Sequence, residues 1–379
     1  MDFTFNEEQE ELRAMARSFL DDLAGSEELR QAMESELGYD PELWKQIGTE
    51  LGWPSVHIPE EYGGLGLGYV ELVALLEIAG GSLLCAPFFS SVCLGANALL
   101  VGGSEEQKQE HLPGIAEGQT IATLACTEDS GQWDAAGIEA TAQQSGDDFI
   151  LNGKKSFVLD GHCADLLVVA ARAEGTKGEE GVDLFAIPAQ SEGLTRRVLP
   201  TMDQTRRLSE IELAGVRVPA SSRLGDEGSG WASLRKTLDL AAVAISAEQV
   251  GGAQKCLDMA VEYAKERIQF GRPIGSFQAI KHKCADMMVE VESARSAVYY
   301  AGCVAAEDGE ELPTVASLAK AYCSDTYFNC AANSLQIHGG VGFTWEYDVH
   351  LHLKRAKSTE SFLGDATYHR ELVAQRIGL

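Results

Sequence analysis

The feature that most constrains this chain is an abrupt corner at Ala264–Ile280, between two long stretches of helical period. Apolar residues recur at helical spacing over Leu257–Ala264 and again over Ile280–Val291. The corner contains three residues that cannot continue a helix, namely Gly271, Pro273 and Gly275. The pattern therefore predicts two long helices that meet at a rigid turn.

The same corner carries side chains suited to a nucleotide. Arg267 and Arg272 supply guanidinium donors, Phe270 and Phe277 supply aromatic faces, and Gln278 opens the following helix with an amide. A helix N-terminus beside arginines and an aromatic ring favours a pyrophosphate and an adenine. The alternative is an ordinary connection between helices whose arginines are only solvated, because short motifs also occur by chance.

Length and composition limit the classes of protein that remain. A chain of 379 residues is long enough for two or three domains. The charged opening MDFTFNEEQEELRAMARSFL is not a signal peptide, and no apolar run approaches the ~20 residues of a membrane span. The nine cysteines are scattered without a C-x-x-C pair, which is typical of reduced core cysteines in a cytoplasmic protein. His350 and His352 point to different sides of a helix, so we expect no metal site.

The net charge of −28 argues against a nucleic-acid partner, which needs a basic surface. An anionic ligand must therefore meet local positive groups. Three adjacent basic pairs are candidates, although each is also explained by solvation: Arg196–Arg197, Arg206–Arg207 and Lys354–Arg355. The acidity itself is compatible with a saline habitat or simply with solubility, and both remain open.

The period of the sequence divides the chain into three parts. Residues 1–117 have helical patterns, with a polar cap in Phe3–Gln9 and a capping box from Ser104 to Gln107. Residues 118–229 contain short β-rich runs separated by turn residues, typical of a β-sandwich or barrel domain. Residues 230–379 return to helical period in four segments, at about 231–267, 276–307, 313–338 and 346–374. The predicted fold class is α+β, with an N-terminal helical domain, a central β domain and a C-terminal four-helix bundle.

Four motifs resemble one known family. R-x-x-F-G-x-P-I followed by F-Q, from Arg267 to Gln278, resembles the flavin-contacting corner of acyl-CoA dehydrogenases. Q-I-H-G-G-V-G-F (336–343), A-C-T-E (125–128) with L-N-G-K-K (151–155), and I-P-E-E-Y-G-G (58–64) are similar to other segments of that family, in the same order. On this resemblance the chain is identified as a member over its whole length. The family's helical, β and helical architecture matches the predicted one.

The resemblance implies FAD as cofactor and assigns residues to it. The corner residues Arg267, Phe270 and Gln278, with Gln336, Gly339 and Gly340, would hold the flavin of a neighbouring subunit. Thr127 matches a threonine that donates to the flavin pyrimidine, and Phe157 matches an aromatic stacked on the ring system. For Thr127 the alternative is a strand residue with a satisfied hydroxyl. Two positions depart from the family: Leu159 replaces a hydroxyl near flavin N5, and Trp133 replaces a serine.

The base of the reaction is the weakest match. Acyl-CoA dehydrogenation removes a proton from the α carbon and a hydride from the β carbon, so it needs a flavin, donors at the carbonyl and a carboxylate base. In most relatives the base is a glutamate at the position of Leu363, and in a smaller group it is at the position of Ala241. Neither position holds a carboxylate here.

Glu248 is the candidate base. It lies seven residues after Ala241, two turns further along the same helix face and about 10 Å away. The surrounding AVAISAEQVGGA is otherwise uncharged, so a buried carboxylate there requires either a partner or a cavity. The alternative is that Glu248 pairs with an arginine or lysine at a subunit contact.

A displaced base resembles the steroid-side-chain branch of the family. That branch implies a bulky or steroid-derived acyl-CoA and a heterotetramer of two dehydrogenase-like subunits, in which only half of the flavin sites are complete. The family also implies an electron-transfer flavoprotein as acceptor, and either a homotetramer or a heterotetramer. Two alternatives remain: a non-catalytic partner subunit that completes its neighbour's FAD site, and a flavoenzyme whose other acyl-CoA chemistry needs no base.

Overall fold

A computed structural model describes residues 5–379, so Phe3 and Thr4 of the predicted first cap lie outside the described residues. The first helix begins after Asn6, whose side chain accepts a hydrogen bond from the Gln9 amide at 2.8 Å. The Gln9 side chain accepts in turn from the Asn6 amide at 3.0 Å, which completes a capping box. The predicted capping box of Ser104 and Gln107 is present in the same form.

The α-helices alternate with short irregular segments in the first third of the chain and are long in the last third. They are α1 Glu7–Leu23, α2 Ser26–Glu34, α3 Pro41–Lys45, α4 Tyr69–Gly81, α5 Asn97–Gly102, α6 Glu105–Ala116, α7 Gly230–Glu266, α8 Gln278–Ala306, α9 Leu312–His338, α10 Val349–Ser361 and α11 Ala366–Arg376. Two π-helical segments, Gln46–Glu50 and Phe89–Ala96, continue α3 and precede α5.

The middle of the chain forms one mixed sheet. Its strands are β1 Ala122–Ala125, β2 Thr141–Ser145, β3 Asp148–Leu159, β4 Leu166–Arg172, β5 Val182–Pro188, β6 Leu194–Leu199, β7 Leu208–Pro219 and β8 Arg223–Leu224. The order is β6-β7-β3-β2-β4-β5-β8, and β1 pairs with β4. The pairs β1–β4 and β2–β4 are parallel, and the remaining pairs are antiparallel.

The predicted helix at 346–374 is wrong as a single element. The structure has two helices there, α10 and α11, separated by Phe362–Asp365. Leu363 has φ 63° and Gly364 has φ 97°, and these left-handed conformations end α10. The Asp365 side chain then accepts from the Tyr368 amide at 2.8 Å and caps α11.

Packing divides the chain into two compact units. One consists of Ala32–Leu67 and Cys85–Ala241, and it contains the eight-stranded sheet with α3, α5 and α6. The other consists of Met1–Gln31, Gly68–Leu84 and Ala242–Leu379. In that second unit α7, α8, α9 and α10 share one apolar core, to which they contribute Leu257, Ala260, Met287, Val291, Tyr327, Cys330 and Ala356.

Helices α4 and α7 cross at backbone contact inside the second unit. A Cβ atom on Gly251 would lie 1.7 Å from the Glu77 carbonyl oxygen, and one on Gly80 would lie 2.1 Å from the Glu248 carbonyl oxygen. Nearly every residue of α4 is buried as a result. The close approach therefore requires glycine on both helices.

The predicted fold class is confirmed: helices precede the sheet, and a bundle of long helices follows it. None of the helices within residues 5–379 combines the length and apolar character that crossing a bilayer requires.

Candidate functional site

The corner between α7 and α8 is a miniature hairpin. After α7 ends, β9 (Ile268–Gln269) pairs with β10 (Arg272–Pro273), and two residues connect them. These two, Phe270 at φ 51° and Gly271 at φ 76°, are both left-handed, as a tight two-residue hairpin turn requires. The Ile274 amide donates to the Arg267 carbonyl at 2.8 Å and closes the corner. The sequence predicted a rigid turn, and its rigidity comes from this ladder.

The hairpin presents its aromatic and cationic groups outward. Phe270 is 90% exposed, and its ring lies edge-on to Phe277 with centroids 6.1 Å apart. The Arg272 guanidinium lies 4.1 Å from the centroid of the Phe277 ring. Within residues 5–379, neither Arg267 nor Arg272 forms an ion pair with a carboxylate. Two such guanidinium groups beside exposed rings, in a strongly acidic chain, fit a nucleotide diphosphate.

The end of α9 lies next to this corner. Tyr263, on the last turn of α7, stacks on His338 of α9 with ring centroids 4.3 Å apart, and the Tyr263 carbonyl accepts from the Arg267 amide. Gln336 is exposed on the same last turn of α9. Gly339 has φ 64°, and no atom lies within 4 Å of a Cβ built on Gly340. The two C-terminal motifs are thus brought together, with open backbone that a ligand can approach.

Tyr263 and His338 are site residues that sequence reasoning missed. The available signal was their place on the last turns of the helices that carry the two motifs. Ring stacking between helices that are distant in sequence cannot be inferred from those positions alone.

In the sheet unit, Thr127 and Phe157 are joined through Ser156. The Thr127 hydroxyl donates to the Ser156 carbonyl at 2.7 Å, and the Ser156 amide donates to the Thr127 carbonyl at 2.9 Å. The hydroxyl proton is therefore engaged within the protein, as the alternative for Thr127 expects, and only the hydroxyl oxygen keeps the capacity to accept. Leu159, the departure near the flavin, is buried at the end of β3.

Phe157 has an unusual backbone. It lies in a register shift of the β3–β7 pair between Lys155 and Val158, and its φ is 62°. A left-handed conformation costs an L-residue with a bulky side chain about 1–2 kcal/mol, so the surroundings must enforce it. The ring nevertheless remains 42% exposed instead of joining the core. An aromatic held outward at a bulge is suited to stacking on a planar ligand.

Glu248 is buried on α7 and has an arginine beside it. Its Oε2 lies 4.0 Å from Nη1 of Arg355 on α10, and both side chains are almost fully enclosed. The next residue, Gln249, donates to the Ser324 hydroxyl at 3.1 Å and to the Thr359 carbonyl at 3.2 Å. Of the partner or cavity that the sequence required for a buried carboxylate, the structure has a partner, and it lies within the same chain and not at a subunit contact. These two α7 residues connect α7 to α9 and α10.

The two positions where relatives carry the base are closed by apolar side chains. Leu363 is 4% exposed and Ala241 is fully buried. The Leu363 carbonyl accepts from His369 Nε2 at 2.9 Å, and the Gly364 carbonyl accepts from Lys320 Nζ at 3.0 Å. Burial lowers the pKa of Lys320 to about 7 and the pKa of His369 to about 4.

The basic pairs considered from sequence are partly engaged by the protein itself. Arg196 donates to the Ala164 carbonyl and Arg207 to the Met33 carbonyl. Within residues 5–379, no three His, Cys, Asp or Glu side chains are grouped so that they could hold a metal ion.

Three family models cover almost the whole chain. The N-terminal domain of acyl-CoA dehydrogenase matches residues 6–119, the middle domain matches 123–216, and the C-terminal domain matches 228–378. The chain belongs to the acyl-CoA dehydrogenase family. As an acyl-CoA dehydrogenase it is an FAD-dependent oxidoreductase, and the exposed rings, guanidinium groups and open glycines described above fit that cofactor.

Individual acyl-CoA dehydrogenases are similar over their full length. The acyl-CoA dehydrogenase IpdE2 of Mycolicibacterium smegmatis is 36% identical over 95% of each chain. The butyryl-CoA dehydrogenase of Megasphaera elsdenii superposes with a TM-score of 0.91 at 30% identity, covering 100% of both chains. A chain of the ChsE4-ChsE5 complex from Mycobacterium tuberculosis superposes with a TM-score of 0.90 at 30% identity, covering 100% of this chain and 99% of that chain.

Proposed function

We propose that this chain is a subunit of an acyl-CoA dehydrogenase that introduces an α,β double bond into a bulky, steroid-derived acyl-CoA. The observation that carries the proposal is the loss of both usual base positions, to the buried side chains of Leu363 and Ala241. Similarity to IpdE2 and to a chain of the ChsE4-ChsE5 complex supports it, because the latter is a complex of two differently named subunits.

Some residues of this chain would bind FAD, and a different residue would remove the substrate proton. Arg267, Phe270 and Gln278 would hold the diphosphate and adenine of a neighbouring subunit's FAD, together with Gln336 and the open backbone at Gly339 and Gly340. Thr127 and Phe157 hold the ring system, with Phe157 stacked on it. The FAD held there would supply the acceptor for the hydride that leaves the β carbon.

Glu248 is the proposed proton acceptor. Its carboxylate takes the α proton of the thioester, and Arg355 at 4.0 Å fixes the orientation of that carboxylate.

Substitution Glu248→Gln tests this assignment. In anaerobic single-turnover measurements with a steroid acyl-CoA, bleaching of the flavin absorbance should slow by about 10²–10⁴-fold, as expected for loss of a general base. Glu262→Gln, which alters an exposed glutamate on the same helix, is the matched control. Bleaching by the Glu248→Gln variant at near the parent rate would refute Glu248 as the base.

The second candidate is a partner subunit without its own base, which completes the flavin site of a neighbour. The Glu248–Arg355 contact favours it, because a carboxylate already paired inside the bundle is explained without catalysis. Flavin content separates the two candidates: one FAD per chain with turnover supports the first. No FAD in the isolated chain, and half occupancy after co-expression with a second dehydrogenase-like subunit, supports the second.

The remaining partners follow from the family resemblance. We propose an electron-transfer flavoprotein as acceptor and a tetramer, either of one chain or of two unlike chains. We also propose a cytoplasmic location, for which nine scattered cysteines without a C-x-x-C pair are typical.

A further inference from the structure

A buried ion pair is formed by a residue that stands two positions before Phe157 in the sequence. Lys155 is fully buried, and its Nζ lies 2.6 Å from Glu128 Oε1 and 3.4 Å from the Cys126 carbonyl oxygen. Burying two charges is costly, and an apolar pair of similar volume is often at least as stable. The presence of this pair is therefore explained better by the segments that it holds in place than by a contribution to the stability of the fold.

Glu128 organises the loop that follows β1. The same Oε1 atom accepts from the amides of Glu139 and Ala140, both at 2.9 Å. One carboxylate oxygen thus receives three donors from two separate segments. The segment 126–129 is fixed between the returning loop on one side and β3 on the other.

The next contacts connect this segment to the residue before Phe157. Ser156 exchanges two hydrogen bonds with Thr127, and its hydroxyl donates to Asp129 Oδ1 at 2.5 Å. Lys154 forms an ion pair with the same aspartate. Each of residues 154–156 is therefore held by a hydrogen bond or an ion pair. These contacts fix the direction of the backbone as it enters Phe157. These contacts account for the left-handed backbone of Phe157 and for a ring that remains 42% exposed.

We propose that Lys155 and Glu128 form a positioning pair, which sets the angle at which Phe157 meets the planar ring system of the cofactor. Neither residue touches the cofactor in this proposal; both act through Ser156 and the bulge. The proposal rests on the proposed role of Phe157, but it concerns flavin binding and geometry, so it can fail while acyl-CoA dehydrogenation stands.

The experiment compares Lys155→Met, Glu128→Gln and Phe157→Ala in the flavin-loaded protein, without acyl-CoA. Loss of one well-placed aromatic stack corresponds to up to about tenfold in FAD affinity. We expect Lys155→Met and Glu128→Gln each to raise the Kd for FAD by roughly that factor. We also expect them to change the visible circular dichroism of the bound flavin in the way that Phe157→Ala does. Glu128→Gln keeps the size and shape of the side chain, so it still tests the pair if the Lys155→Met variant folds poorly.

The matched control is Arg217→Met. Arg217 forms a 2.9 Å ion pair with Asp148 on the same two strands, but both side chains are largely exposed and far along the ladder from the bulge. It should leave the affinity and the dichroism unchanged. In the Lys155→Met, Phe157→Ala double variant, the second change should add little to the first. Wild-type flavin affinity and dichroism in a folded Lys155→Met protein would overturn the proposal, as would full additivity in the double variant.

Discussion

Lys320 should make the stability of this protein depend on pH in a measurable way. Its Nζ donates to the Ser324 hydroxyl at 2.8 Å and to the carbonyls of Glu360 and Gly364, at 3.2 and 3.0 Å. No carboxylate within residues 5–379 forms an ion pair with it. A fully buried ammonium group that donates only to neutral acceptors is poorly compensated for its lost hydration, even though the Glu360, Asp365 and Asp325 carboxylates partly offset the loss from beyond ion-pair distance.

The size of the effect follows from the two pKa values. Burial lowers the pKa of Lys320 from 10.5 to about 7 on folding, so the unfolded chain binds more protons between those values. The free energy of unfolding must then rise with pH across that window, and below about pH 7 the full penalty is present. Linkage gives a gain of about 2 kcal/mol between pH 7 and pH 9 from this one residue.

Urea denaturation at pH 7, 8 and 9, followed by tryptophan fluorescence, measures this gain. The variant Lys320→Met cannot titrate, so its unfolding free energy should rise by about 2 kcal/mol less over that range than the parent's. Lys177→Met removes an exposed lysine and should keep the parent profile. If the parent and Lys320→Met gain equally, Lys320 is protonated or neutral in both folded and unfolded chains, and the argument from burial is wrong.

Two further perturbations test packing and acid sensitivity. Gly251→Ala would place a methyl group 1.7 Å from the Glu77 carbonyl, so we expect a loss of about 2–4 kcal/mol in urea denaturation, whereas Gly25→Ala meets only a flexible side-chain end and should change little. His352 is buried beside the Tyr327 hydroxyl at 2.9 Å, and burial lowers its pKa to about 3. The unfolded chain therefore binds the extra proton as pH falls below 6.5, and His352→Gln should lose about 1.5 kcal/mol less stability than the parent between pH 6.5 and pH 5. An identical acid profile for both proteins would contradict that assignment.

The elements that could be predicted from the sequence are those fixed by local chemistry. The capping box of Ser104 and Gln107 needs only residues three apart, and the short β-rich runs of 118–229 form strands because strand propensity and turn residues are local signals. Residues 148–159 form one continuous strand, β3, which contains Gly153 next to a register shift. That irregularity depends on the pairing with β7 and cannot be read from local pattern.

The candidate site depends more on contacts between distant residues. Glu248 was predicted to face a partner or a cavity, but its partner Arg355 follows it by more than a hundred residues, and nothing local identifies that arginine. The left-handed backbone of Phe157 likewise follows directly on Ser156, which is hydrogen-bonded to Thr127, 29 residues earlier in the sequence. The family motifs located the corner and the end of α9, whereas the stacking of Tyr263 on His338 that joins them is a property of the fold.

The crossing of α4 and α7 has a consequence for how the chain is made. Helix α4 is mostly apolar and nearly all buried, and the partners that bury it are α1, which precedes it, and α7 and α8, which a ribosome begins to synthesise about 150 residues later. Until α7 and α8 have been synthesised, the apolar side chains of Tyr69–Gly81 are incompletely buried and can associate with other nascent chains. Slow elongation or early release should thus favour aggregation through this helix, and a chaperone that shields it should raise the yield of folded protein.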